Sequence, residues 1–144
     1  MGRVVALAVG CLVAIGCEGS DGGSAASKQD PLEVYETVFR YRLQKHPREV
    51  SAYLTVDGKD IPASVLGRLR KDWPNLKAIS EEPKERGLRI YVNKLKWIDT
   101  STAEVEAGYW FPTKFAGEGY FGDHHVVRRD GRWVVAKITN ETSS

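Results

Sequence analysis

The stretch FGDHHVVRRDGRWVVAKI, residues 121–138, decides how this chain completes its fold. Asp130 and Gly131 form a preferred pair for a two-residue hairpin turn, because both central positions of such a turn need φ > 0. Apolar side chains flank the turn on either side, so the residues before and after it read as two antiparallel strands. The turn then sets the register: Arg129 opposes Arg132, Val127 opposes Val134, His125 opposes Ala136 and Asp123 opposes Ile138. Successive strand residues point to opposite faces. One face therefore carries Phe121, Asp123, His125, Val127, Val134, Ala136 and Ile138; the other carries Tyr120, His124, Val126, Arg128, Trp133, Val135 and Lys137. The first is the more apolar and is expected to be the buried, concave side.

That choice of face governs the chemistry. His124 and His125 are strand neighbours, so they cannot both ligate one ion, and His46 is the only other histidine; no metal site is expected. Asp123 and His125 share a face. Pointing into an apolar interior, they would be candidates for a general acid–base pair, since burial and an opposite charge move both pKa values. Tyr35, Phe39 and Tyr109 are expected to line the same pocket. The competing expectation is that Asp123 and His125 merely satisfy each other or sit at a wet rim. Arg128, Arg129 and Arg132 crowd the hairpin tip, where a solvated, edge-protecting turn is the plain reading and contact with phosphate headgroups the sharper one.

Upstream, residues 102–111 alternate cleanly: Ala103, Val105, Ala107, Tyr109 and Phe111 on one side, Thr102, Glu104, Glu106, Gly108 and Trp110 on the other. Period two marks a half-buried antiparallel strand. Residues 88–98 form another strand, joined to it through a turn at 99–101. Residues 75–87 are charged and irregular, a solvated loop.

The first elements are helical. Asp30 as N-cap and Pro31 in the first turn start a helix to about residue 45, with Leu32, Tyr35, Phe39 and Leu43 as its buried stripe and Val38 beside them. His46 sits at its end, where the helix dipole would favour the charged imidazole. SAYLTVDGKD reads as a strand entering a turn at Asp57 and Gly58, and IPASVLGRLRKDW as a short second helix. The expected class is α+β: an N-terminal helix and a short second helix packed on a curved, cone-like antiparallel sheet of about four to six strands. A single domain is expected over 31–140, with 141–144 as a frayed tail.

This order of elements, closed by RDGRWVVAKI, resembles the cone-shaped fold of the nuclear transport factor two-like superfamily, and YLTVDGKDIPASVLGRL is similar to exported bacterial proteins of that type. Cystatin-like α+β domains share much of the order. The resemblance covers residues 31–139 and rests on element order and one turn. It implies a sheet wrapped around helices. Isomerases and dehydratases of the superfamily use acidic and imidazole groups inside the cone, but none of their motifs maps onto this chain.

The N-terminus speaks to location. MGRVVALAVGCLVAIGC has one basic residue, Arg3, then an unbroken run of apolar or small residues, too short for the ~20 residues a bilayer span requires. Residues 1–16 therefore read as a secretory signal. Ala14, Ile15, Gly16 and Cys17 resemble the lipobox of bacterial lipoproteins, which implies lipidation at Cys17 and anchoring to a bacterial cell membrane or outer membrane. Residues 18–30, EGSDGGSAASKQD, lack any large apolar side chain and read as a flexible tether spanning ~20 Å r.m.s.. Cys11 leaves with the signal, so no disulfide is available to the mature domain.

Several functions are excluded. Without Arg3 the chain carries 20 basic against 19 acidic side chains, which gives no electrostatic ground for nucleic acid. GEGYFG at 117–122 satisfies G-x-G-x-x-G, yet a strand and not a helix follows, so nucleotide binding is not expected and the glycines are assigned to sheet curvature. No cofactor is expected. The function expected is a membrane-tethered domain binding an envelope protein or small ligand without catalysis; the alternative is a small lyase or isomerase using Asp123 and His125.

Overall fold

The computed structural model describes residues 29–81, 87–112 and 117–144. The signal segment, Cys17 and the tether up to residue 28 lie outside the described residues. Asp30 accepts a hydrogen bond from the Leu32 backbone N–H at 2.9 Å, and Pro31 occupies the first turn of helix α1 (Pro31–Leu43). A capping carboxylate satisfies one of the orphan N–H groups of the first turn. Asp30→Ala is accordingly expected to lower stability by about 1 kcal/mol. A shift in the urea midpoint at constant slope would show it, and an unmoved midpoint would mean that the cap contributes nothing.

The buried side chains of α1 are Val34, Val38, Phe39, Arg42 and Leu43. The stripe is thus rotated from the one expected: Leu32 and Tyr35 are only partly buried, and an arginine takes the place of an apolar residue one turn after Val38. Strand β1 (Ala52–Val56) turns through Asp57 and Gly58, both at positive φ, into β2 (Lys59–Asp60). Helix α2 (Ala63–Leu69) follows and buries Val65, Leu66 and Leu69. Glu36 on α1 accepts from Arg40 and from Arg68 on α2, while Arg40 also reaches Asp72 at 2.6 Å, a charge network joining the helices.

Part of the stretch expected to be irregular is ordered: β3 (Leu76–Ala78) and a 3-10 turn (Ile79–Glu81) precede the segment 82–86, which lies outside the described residues. Three residues are too few to show period-two alternation. Four long strands complete the chain: β4 (Leu88–Asp99), β5 (Thr102–Pro112), β6 (Gly117–Arg129) and β7 (Arg132–Ser143). The sheet runs β2-β1-β4-β5-β6-β7, with β3 also on β1. β1 is parallel to β4 and β3, and every other pairing is antiparallel. The class is α+β as expected, but among the described residues the strands number seven instead of four to six, because β2 and β3 were too short to be seen in the sequence.

Helix α1 packs on β7 and β4 and touches α2. Beneath it the core is filled by Phe39, Leu43, Leu54, Ile90, Val92, Val105 and Val126, with Ala103 and Ala107 as small residues on β5. Bulges shape the long strands. On β4 an extra residue at Lys94–Leu95, with Lys94 at φ 55, shifts the register against β5, so that Leu95 and Trp97 both pack on the core after it.

Two more bulges lie on β7. Near the turn the expected register holds, with Arg129 opposite Arg132 and Val127 opposite Val134. Ala136 is then an extra residue, so His125 opposes Lys137 and His124 opposes Ile138. Farther on, Asn140 at φ 53 marks a second insertion, placing Asp123 opposite Thr139 and Phe121 opposite Thr142. The expected pairs His125–Ala136 and Asp123–Ile138 are therefore corrected. The turn fixes register only as far as the first bulge. Residues 141–144, expected to fray, are paired instead: β7 continues to Ser143, and the Ser144 N–H donates to the Gly119 carbonyl at 3.0 Å.

Candidate functional site

The expected concave face of β6 is also corrected. His124 and Val126 are fully buried, whereas Asp123, His125 and Val127 are half-exposed on the outer face. Counting apolar residues misled because two of the groups on the inner face, His124 and Arg128, are polar yet provided for. The His124 ring stands edge-on to Tyr41 at 5.9 Å, and its Nδ1 lies 2.9 Å from the Gly122 carbonyl. A carbonyl only accepts, so Nδ1 carries the proton and Nε2 is left without one. Among the described residues Nε2 has no hydrogen-bond partner.

Asp123 and His125 have separate partners. Asp123 accepts from the Asn140 amide at 2.7 Å; His125 places Nε2 2.9 Å from the Thr139 hydroxyl and Nδ1 3.4 Å from the Glu104 carboxylate. The latter chain has the connectivity of a hydroxyl, imidazole and carboxylate triad. It spans three adjacent strands on the outer sheet face with its side chains partly open to solvent, however, so it stands as a cross-strand polar ladder. Phe39 is part of the core, and Tyr35 lies near Asp57, with its phenol held above its ordinary pKa by burial and that carboxylate. The five residues expected to share one pocket are thus dispersed, and the lyase or isomerase reading loses its acid–base pair.

The structure gathers a different group around Tyr109. Arg42 is only 4% exposed, and its guanidinium lies 4.2 Å from the Tyr120 ring centroid and 5.7 Å from that of Tyr109. The two tyrosines oppose each other across β5 and β6 and stack at 6.0 Å. A cation against aromatic faces at these distances is attracted by the ring quadrupole. The Tyr120 hydroxyl donates to the Glu141 carboxylate at 2.5 Å; burial and that carboxylate push its pKa up to about 12. His46 meets Tyr109 edge to face, and burial and the charge on Arg42 hold its pKa below the ordinary value. It is therefore neutral near pH 7, not the charged residue its position at the helix end suggested.

At this end of the sheet aromatic side chains are exposed on both faces, Phe111 on the side of the tyrosine pair and Trp110 and Phe121 on the other. Trp110, Phe111 and Phe121 are 40%, 45% and 41% accessible, unusual for large apolar side chains on one end of a sheet. The Trp110 indole lies flat against β6 because Gly117 and Gly119 leave room: a Cβ at those positions would approach its ring to 1.8 and 2.8 Å. That is the structural use of two of the glycines in GEGYFG. A cleft of about 200 Å³ opens beside the indole, walled by Tyr91, Tyr109, Trp110, Tyr120 and Phe121. A second, of about 310 Å³, lies on the other side of Trp110 and Tyr91 and includes Thr55, Arg89 and Asn93.

Sequence reasoning named Tyr109 but missed Arg42, Trp110 and Glu141. Arg42 carried a readable signal, since it follows Val34 and Val38 at helical spacing. Among the described residues no group of three or more His, Cys, Asp or Glu could hold a metal ion, and no helix is long and apolar enough to cross a membrane. No protein-family model matches the chain, and no curated protein matches its sequence.

Proposed function

We propose that this chain is an exported, lipid-anchored envelope domain that binds a protein or small ligand through the aromatic end of its sheet and performs no catalysis. The observation that carries this reading is the exposed pair Trp110 and Phe121, which share the outer face at one end of the sheet. Rigid aromatic side chains with few rotatable bonds are favoured as binding anchors because little entropy is lost when they are covered. The position of the cluster supports the same reading. Gln29, the first described residue of the tether, donates to the Asp99 carbonyl at the β4–β5 turn, whereas Trp110 lies near the far end of β5. At about 3.4 Å per residue, the strand separates the two ends by roughly 35 Å, so an anchor at Cys17 would leave the aromatic end facing away from the lipid.

The finer reading of the fold as a curved, cone-like domain of the nuclear transport factor two-like kind belongs to this proposal. It is supported by two helices packed on one long, mostly antiparallel sheet with bulged strands. Intact-mass analysis of the chain purified from membranes tests the anchor. The expected result is a mature N-terminus at Cys17 carrying acyl groups, and an unmodified Cys17 would overturn it. Crosslinking on intact cells tests the binding surface: adducts are expected through residues near Trp110 and Phe121, and labelling confined to other faces would sink the assignment.

A further inference from the structure

The two clefts flanking Trp110 have the chemistry of a sugar site, and we infer that they hold successive rings of an oligosaccharide. This inference rests on the binding function proposed above and names the ligand class. The smaller cleft has an aromatic wall, and the hydroxyl-bearing residues Thr142, Ser143 and Ser144 complete its lining. No Lys, Arg, Asp or Glu side chain lines it, so it suits a neutral occupant and not a phosphate or an acidic peptide. A pyranose ring presents apolar C–H faces to aromatic planes and hydroxyls around its edge, which matches aromatic rings beside hydroxyl-bearing residues.

Size points the same way. At about 200 and 310 Å³ the clefts lie at or below the lower end of the roughly 300–1,000 Å³ range for drug-sized ligands, so each accommodates about one ring. Trp110 and Tyr91 line both clefts, so a chain of two or more linked rings would cross the indole in passing from one to the other. The larger cleft adds planar polar groups from Asn93 and Arg89. The Asn93 Oδ1 has no hydrogen-bond partner among the described residues, and a turn of the amide toward the cleft would let it accept from a ligand hydroxyl.

An extended peptide fits this surface less well. The clefts lie on the face of the sheet, with β1 at the margin of the larger and the end of the edge strand β7 at the margin of the smaller. A peptide that extended the sheet would pair along the outer rim of β7, beside the clefts and not in them, and the sheet face offers no groove between helices. A sugar needs neither.

The test uses the full chain. Trp110 is far more exposed than Trp73 and Trp133, both 7% accessible, so its fluorescence and its quenching by acrylamide report on occupancy. Chitotetraose, cellotetraose and maltotetraose are titrated separately, with the matching monosaccharides alongside. At least one tetrasaccharide should bind, shield Trp110 and outcompete its own monosaccharide by about tenfold or more. Trp110→Ala should abolish the response. Asn93→Ala, which removes a side-chain oxygen without a partner, should keep the fold and weaken the tetrasaccharide about tenfold while leaving the monosaccharide unchanged. Absence of saturable binding by all three up to about 10 mM would overturn the sugar assignment. If crosslinking on cells then still captured a protein in a Trp110-dependent manner, the binding function would stand with a protein partner; with neither result, both would fall.

Discussion

Gly108→Ala is expected to unfold or severely destabilise the domain, with a fall in Tm of at least about 10 °C. Gly108 sits on β5 opposite Phe121, and a Cβ there would come within 1.9 Å of the Tyr120 carbonyl oxygen, 2.7 Å of the Tyr91 hydroxyl and 2.8 Å of the Phe121 Cα. Two of these three contacts are backbone atoms of the neighbouring strand, which cannot swing aside as a side chain would. Relief requires β5 and β6 to move apart, costing about 3 kcal/mol, the upper end of typical overpacking penalties. Gly67→Ala gives the opposite sign. Gly67 lies within α2, has nothing within 4 Å of its added Cβ, and should gain about 0.5–1 kcal/mol from helix propensity. Thermal melts of both variants decide the matter: a Gly108→Ala protein as stable as the parent would mean that the close approach of the two strands is not needed.

The second large effect is acid sensitivity set by histidines. His124 is buried, and its pKa lies below the ordinary 6.5, first through desolvation and then through the positive charge of Arg42 and Lys45, against the opposing pull of the Gly122 carbonyl and Glu141. His46 is lowered for the same first reason and by the same arginine. In the unfolded chain both would protonate near 6.5, while the folded protein resists. The stability that goes with these neutral rings is therefore complete above pH 6.5 and lost as pH falls from there toward the folded-state values. The slope from either ring has a ceiling of about 1.4 kcal/mol per pH unit, and the partly exposed His46 contributes less than the buried His124 because solvent screens it. Urea midpoints should fall as pH is lowered from 7.5 to 5, and His124→Gln should flatten the curve. A midpoint independent of pH across this interval would refute the assignment.

Much of the fold was legible. Asp30 and Pro31 marked the start of α1, Asp57–Gly58 and Asp130–Gly131 marked turns, and the alternation of Ala103, Val105 and Ala107 gave the buried face of β5. What escaped was parity. Bulges at Lys94, Ala136 and Asn140 each insert one residue, and nothing local distinguishes an inserted residue from a paired one in a run such as VVAKITN. The face of β6 was misassigned for another reason. Outward Val127 and half-exposed Val134 outweighed inward His124 in an apolar count, while the buried status of His124 depends on α1, more than eighty residues earlier, delivering Tyr41 and Arg42 to that spot. The candidate site lies at the meeting of these two non-local effects. An unbroken register would set Glu141 directly opposite Tyr120; with two residues inserted Ser143 takes that place, and Glu141 still reaches the Tyr120 hydroxyl from two positions back.

Those two inserted residues have a wider consequence. β7 is the outermost strand on its side of the sheet, twelve residues long and rich in Trp, Val and Ile, the composition that lets another chain add on and propagate. Interruptions at Ala136 and Asn140 cut its outer rim into segments of about four residues, none long enough to template a stable partner strand. The anchor proposed above would confine these molecules to a membrane surface, where collisions are frequent and restricted in orientation. A straight rim would invite them to zip into filaments, whereas a broken one lets them crowd together and separate again.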